Sequence, residues 1–168
     1  MGIMSLFEPL PLERVRLVNP GQQIILGERT LTAWKPPAFD NPSTTGFVDN
    51  TSGALICSDC FGALLGAVPQ SAADLTLEEL RQGQVFWATV DSPWLHNVDQ
   101  TAFASALHRV RDTEPALILS SHLPVAPGHM IDQLIESLEA VPTATPFLGP
   151  DQAALEAMLA QMTAPAAQ

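Results

Sequence analysis

Positive charge is scarce in this chain: 7 Lys and Arg stand against 18 Asp and Glu, for a formal net charge of -11. Affinity for nucleic acid draws on counterion release by clustered Lys and Arg, so the shortage argues against a nucleic-acid partner. Anionic membrane surfaces are disfavoured for the same reason. Apolar runs are short as well. None approaches the roughly 20 residues a membrane helix needs, and the opening Met1-Gly2-Ile3-Met4-Ser5-Leu6-Phe7-Glu8 has no basic region ahead of a hydrophobic one. The expectation is a cytoplasmic protein. Cysteine is limited to Cys57 and Cys60. A structural zinc site wants four ligands, and no second Cys/His pair lies at the usual spacing, so the two cysteines read as small side chains at a strand end. A Gly-x-Ser-x-Gly elbow and a Gly-x-x-x-x-Gly-Lys loop are both lacking, which removes the nucleophile-elbow hydrolases and the phosphate-loop enzymes.

What is present is core-forming material: 168 residues with 46% hydrophobic content suit a single domain over 1–168, with 163–168 as a frayed tail. The first third reads as strands. Arg14–Val18, Gln23–Leu26 and Thr30–Trp34 are short β-prone runs punctuated by Asn19-Pro20-Gly21 and Gly27-Glu28. Thr45–Asp49 and Ala54–Cys57 flank the polar turn Asn50-Thr51-Ser52-Gly53 as a hairpin. Beyond that the character changes. Thr76 stands as an N-cap ahead of an acidic first turn, opening a helix through Leu80, Val85 and Phe86. Helical spacing also covers Asp99–Arg111, Met130–Ala140 and Asp151–Met162, with one short strand at Ala116–Ser120.

Three residues stand where apolar strands give way to loops. Asp59 follows Leu55-Ile56-Cys57-Ser58, Asp40 follows Pro36-Pro37-Ala38-Phe39, and His122 follows Leu117-Ile118-Leu119-Ser120-Ser121. Each has a plain alternative. Asp40 before Asn41-Pro42 could cap an Asx turn, Asp59 could be the N-cap of a helical turn starting at Cys60, and His122 could satisfy a nearby carbonyl. Taken together they make a stronger case, because mixed sheets gather strand ends along one edge, and two carboxylates with one imidazole suit iron, manganese or zinc. His96 and His129 are weaker candidates, better read as packing or surface histidines.

At these three segments the chain resembles the metallo-β-lactamase superfamily, and within it the diiron domain of flavodiiron proteins and related oxygen-binding proteins. Pro37-Ala38-Phe39-Asp40-Asn41-Pro42 is similar to one ligand loop, Ser58-Asp59-Cys60-Phe61-Gly62 to the segment of the bridging aspartate, and Ser120-Ser121-His122 to the segment of the last histidine. The resemblance covers roughly Val15 to Pro124. It implies an α/β fold, an αββα sandwich of which this chain looks like the second half, strands first and helices after. It also implies a metal site through Asp40, Asp59 and His122, and iron or zinc chemistry on a small-molecule substrate or with a redox partner.

Two departures accompany it. The superfamily's His-x-(His/Glu)-x-Asp-His signature is absent from the sequence, and Asp40 stands where the family usually has histidine. No flavin-binding segment is seen, so electrons would come from a partner. The alternative to a metal-dependent oxidoreductase or hydrolase is a truncated or degenerate relative acting as a binding or scaffold domain. The missing half would also be accounted for by two copies pairing as a homodimer, which would cover apolar sheet face and open strand edges.

Overall fold

The computed structural model describes residues 12–163. Its centre is one six-stranded sheet whose strands lie side by side in chain order. They are β1 (Gln23–Leu26), β2 (Arg29–Trp34), β3 (Gly46–Asp49), β4 (Ala54–Ile56), β5 (Leu117–Leu119) and β6 (Ala126–Pro127). Neighbours are antiparallel except β4 and β5, which run parallel. A parallel pair needs a long crossover, and here the crossover carries two of the four α-helices among the described residues, α1 (Leu77–Asp91) and α2 (Gln100–His108). The others, α3 (Ile131–Glu139) and α4 (Gln152–Thr163), follow the sheet.

Local chemistry accounts for the boundaries. Gly27 and Gly53 adopt φ of 61° and 70°, conformations that disfavour any residue with a Cβ, and so turn the two hairpins. Thr76 accepts from the Glu79 amide while the Glu79 carboxylate accepts from the Thr76 amide at 2.9 Å, completing a capping box at the start of α1. Asp99 caps α2 by accepting from the Ala102 amide at 2.8 Å. Pleat alternation then sorts the sheet. Leu55 and Ile118, paired in register and fully buried, face the helical side, where they join Leu80, Leu107, Leu134, Ile135 and Leu138. Their alternates Phe47, Ile56 and Leu119 share the opposite face and are only partly covered.

Two segments differ from expectation. Arg14–Val18 is not a strand: Leu12–Arg14 forms a 3-10 turn, and residues 15–18 have no regular structure. Pro20 carries no N–H and Gly21 turns at φ 86°, so pairing with β2 begins only at Gly21, whose amide donates to the Ala33 carbonyl at 2.7 Å. Strand β6 escaped notice because it is two residues long and contains Pro127. The proposed tail lies outside the described residues, apart from Thr163, which ends α4.

Asp49 locks the β2–β3–β4 meander. It is buried at the end of β3, accepts from the Thr51 amide at 3.0 Å and from the Ser52 hydroxyl at 2.7 Å, and pairs with the Arg29 guanidinium. The Ser52 and Thr51 hydrogen bonds, helped by Arg29, hold its carboxyl at about 2, below its ordinary 3.8. A depressed carboxyl stabilises the fold fully above its unfolded value, and that contribution is lost as pH falls through the folded value. Urea titrations should therefore lose stability between about pH 4 and about pH 2, and Asp49→Asn should flatten that limb. An unchanged acid limb in the variant would count against this role.

Candidate functional site

Because β4 and β5 are parallel, both end at one edge of the sheet, and the antiparallel partners bring the end of β2 and the start of β3 to that edge too. The loops bearing Asp40, Asp59 and His122 therefore share one rim. Asp59 lies in a tight turn after β4, where the Cys60 amide donates to the Cys57 carbonyl at 3.2 Å and the Gly62 amide to the Asp59 carbonyl at 3.0 Å. The turn is strained, since Ser58 and Phe61 sit at φ 53° and 64° without being glycine. No helix begins at Cys60, so Asp59 is not an N-cap. Gly62 is required here, because a Cβ would come within 2.5 Å of the Trp87 indole nitrogen.

His122 meets Asp59 directly. Its Nε2 is 3.0 Å from Asp59 Oδ1, and Ser58 Oγ donates to Asp59 Oδ2 at 3.1 Å. The imidazole packs on the Trp87 ring, centroids 4.1 Å apart, while the Trp87 indole N–H donates to the Asp59 carbonyl at 3.3 Å. The turn bearing the acid and the loop bearing the histidine are also stitched by backbone: the Ser121 amide donates to the Ser58 carbonyl at 2.8 Å and the Ala63 amide to the His122 carbonyl at 2.9 Å. Both side chains remain open to solvent, Asp59 at 23% and His122 at 42%.

Asp40 belongs to a more self-contained loop. The Asx turn before the proline is made by Asn41, which accepts from the Ser43 amide at 2.9 Å, whereas Asp40 Oδ1 accepts from the Thr44 hydroxyl at 3.1 Å. Lys35 reaches across the loop to the carbonyls of Pro42 and Thr44 at 2.8 and 2.9 Å and lies 3.8 Å from the Phe39 ring centre. Burial lowers the Lys35 pKa, and Asp40 acts in the opposite direction. The Trp94 indole N–H fixes the loop by donating to the Phe39 carbonyl at 2.8 Å.

The residue that sequence reasoning missed is Asp91, the last of α1. Burial raises its carboxyl pKa first. Asp59 and Asp40 raise it further, while the Ser92 hydroxyl, donating at 2.9 Å, and His122 oppose the shift. Asp91 thus senses two carboxylates and one imidazole across this rim. A signal existed in the sequence: an acid in the last turn of a helix opposes the helix dipole, and Ser92-Pro93 marks the helix end. Cys57 and Cys60 are buried core thiols, with the Cys60 pKa pushed up to about 12 by burial, so both are neutral. His129 is exposed, and His96 is partly buried with its Nε2 unpaired. Neither hydrogen-bonds to Asp40, Asp59 or His122.

The donor set sets a limit. Among the described residues no group of three or more His, Cys, Asp or Glu converges closely enough to hold a metal ion. These side chains do not build a two-metal centre. They build a two-donor edge, Asp59 and His122, with excess negative charge beside it. A carboxyl whose folded pKa is raised costs stability once it ionises. Asp91→Asn should therefore raise the thermal midpoint of metal-free protein at neutral pH, by a margin that shrinks toward about pH 4, where an ordinary carboxyl takes up its proton. An equal or lower midpoint at neutral pH would contradict the charge crowding.

No protein-family model matches this chain, and no curated protein matches it by sequence. Solved structures do match. Rubredoxin oxygen:oxidoreductase from Desulfovibrio gigas superposes with a TM-score of 0.59 at 17% identity, over 84% of this chain and 34% of that one. A variant of the flavo di-iron protein from Thermotoga maritima gives 0.63 at 13% identity, over 84% and 33%. The apo chemotaxis sensor ODP from T. denticola gives 0.54 at 15% identity, over 75% and 49%. The chain thus spans a third to a half of the length of these proteins, and at such identities the likeness is one of fold. Among the described residues no helix is long and apolar enough to cross a membrane. The sheet and its crossover share the fold of these flavodiiron proteins, the metallo-β-lactamase-like α/β fold expected from the sequence.

Proposed function

We propose that this chain forms one side of a metal-dependent site, in which Asp59 and His122 hold a single divalent ion, iron, manganese or zinc, and water fills the remaining positions. The supporting observation is the 3.0 Å separation of Asp59 Oδ1 and His122 Nε2 on two rigidly stitched loops. Oxygen and nitrogen ligands about 2.1 Å from one ion and at right angles to each other lie roughly 3.0 Å apart. A carboxylate with an imidazole suits these ions, and the charge of Asp40 and Asp91 nearby favours a cation without requiring either to ligate. A bound ion would supply Lewis acidity and an activated water, the common resource of hydrolases and oxygen-handling enzymes. The chain's own share would be to orient that ion: Ser58 fixes the carboxylate, Trp87 fixes the imidazole ring, and the acids of the rim draw in the cation. Redox chemistry would need electrons from a partner, and a small-molecule substrate would approach over the open rim.

A second reading is a binding or scaffold domain that keeps the fold without the metal. It is favoured by the absence of a third converging ligand among the described residues and by the missing histidine signature. Titration with Mn²⁺ separates the two. A site with few protein ligands is expected to bind weakly, with a Kd on the order of 10⁻⁴ M, the range of open oxygen-rich sites. Asp59→Asn should weaken it at least tenfold while changing folding stability by about 1 kcal/mol or less, the scale of one hydrogen bond. Uptake that is absent from the parent chain, or identical in the variant, would leave the scaffold reading.

A further inference from the structure

Beside His122 a cleft of about 370 Å³ opens between the loop after Phe61 and the segment Ser121–Pro124. Its walls are apolar, formed by Ala63, Leu65, Val68, Leu123 and Pro124, with the Trp87 ring as part of the lining. Only Ser121 and His122 bring polar side chains to it, and no acid lines it. The volume lies near the lower end of the roughly 300–1,000 Å³ of small-ligand sites, too little for a peptide segment. Apolar walls with few convergent polar groups are the usual make-up of such a site.

We infer that this cleft binds a small uncharged molecule of one or two rings carrying a hydroxyl, its rings against Trp87 and the Leu65–Val68 wall and its hydroxyl at Ser121 and His122. Charge selects against the alternatives. Asp59, Asp40 and Asp91 crowd the adjoining rim and the chain carries a net charge of -11, so an anion is repelled; a cation would find its counter-charges on the rim and none in the cleft. Trp87, held by its own hydrogen bond of 3.3 Å to the Asp59 carbonyl, gives the cleft a preformed aromatic wall. This assignment rests on reading the Asp59–His122 rim as the functional site and names the class of molecule delivered to it. It does not require that a metal be bound.

The probe is 2-naphthol, titrated into the intact chain by NMR, with and without EDTA, and 2-naphthalenesulfonate is its charged counterpart. The expected result is saturable one-site binding, with shifts centred on the Trp87 indole N–H and the Ser121 and Leu123 amides. The sulfonate should bind at least tenfold more weakly. Val68→Asp, at a position 81% exposed and so safe for folding, should weaken 2-naphthol at least tenfold. No saturable binding, or sulfonate binding as tight as 2-naphthol, would overturn the assignment. So would shifts centred on Glu79 and Gln82, which line a separate groove of about 830 Å³ behind the same loop. Naphthol binding that persists in EDTA, in a chain that takes up no Mn²⁺, sustains the cleft and removes the metal. Mn²⁺ uptake without naphthol binding does the reverse.

Discussion

The parallel pairing of β4 with β5 is the constraint on which the rest of the molecule depends. Three residue pairs, Ala54 with Leu117, Leu55 with Ile118 and Ile56 with Leu119, set both chain directions and register. Leu55 and Ile118 are buried without residual exposure, so a slip by one residue would expose the central pair of the core. From that register it follows that Asp59, three residues beyond β4, and His122, three beyond β5, leave the sheet side by side. The 3.0 Å contact between them is thus set by the hydrophobic core beneath it.

Around that contact the chain accepts local cost. Ser58 and Phe61 hold left-handed backbone on either side of the acid, and α1 ends in a carboxylate although its dipole favours a cation there. Such costs persist where surrounding structure over-determines them. Here the overdetermination is visible in the Ser121–Ser58 and Ala63–His122 backbone bonds and in the indole of Trp87 wedged over Gly62. Strain, crowded acids and an open histidine on one rim are what a rim shaped for a ligand would show. The cleft beside it has the apolar character the rim itself lacks.

Much of this was legible in the sequence because it is local. The turn at Asn50–Gly53, the capping box of Thr76 and the helical spacing of Phe103 and Leu107 each rest on a few neighbouring residues. The strand-end positions of Asp59 and His122 were legible for the same reason. What was hidden depends on the crossover. Asp91 and Trp87 lie on α1, far along the chain from both loops, and only the packing of that helix brings them to the rim. Arg14–Val18 looked like a strand by composition, yet β propensity matters only where a neighbour offers an edge, and Pro20-Gly21 turns the chain away. Asp40 lies in the loop between β2 and β3, and its bond from the Thr44 hydroxyl and the reach of Lys35 to the Thr44 carbonyl became visible only in three dimensions.

On our proposal the Asp59–His122 edge is a place for a cation and not a closed ion pair. The most direct measurement is a crystal structure of the chain soaked in Mn²⁺, with anomalous differences collected near the manganese edge. An anomalous peak roughly 2.0–2.3 Å from both Asp59 Oδ1 and His122 Nε2, with the two loops unmoved, is the expected result. Asp59 and His122 still hydrogen-bonded to each other, with no anomalous density at the rim at millimolar Mn²⁺, would contradict it.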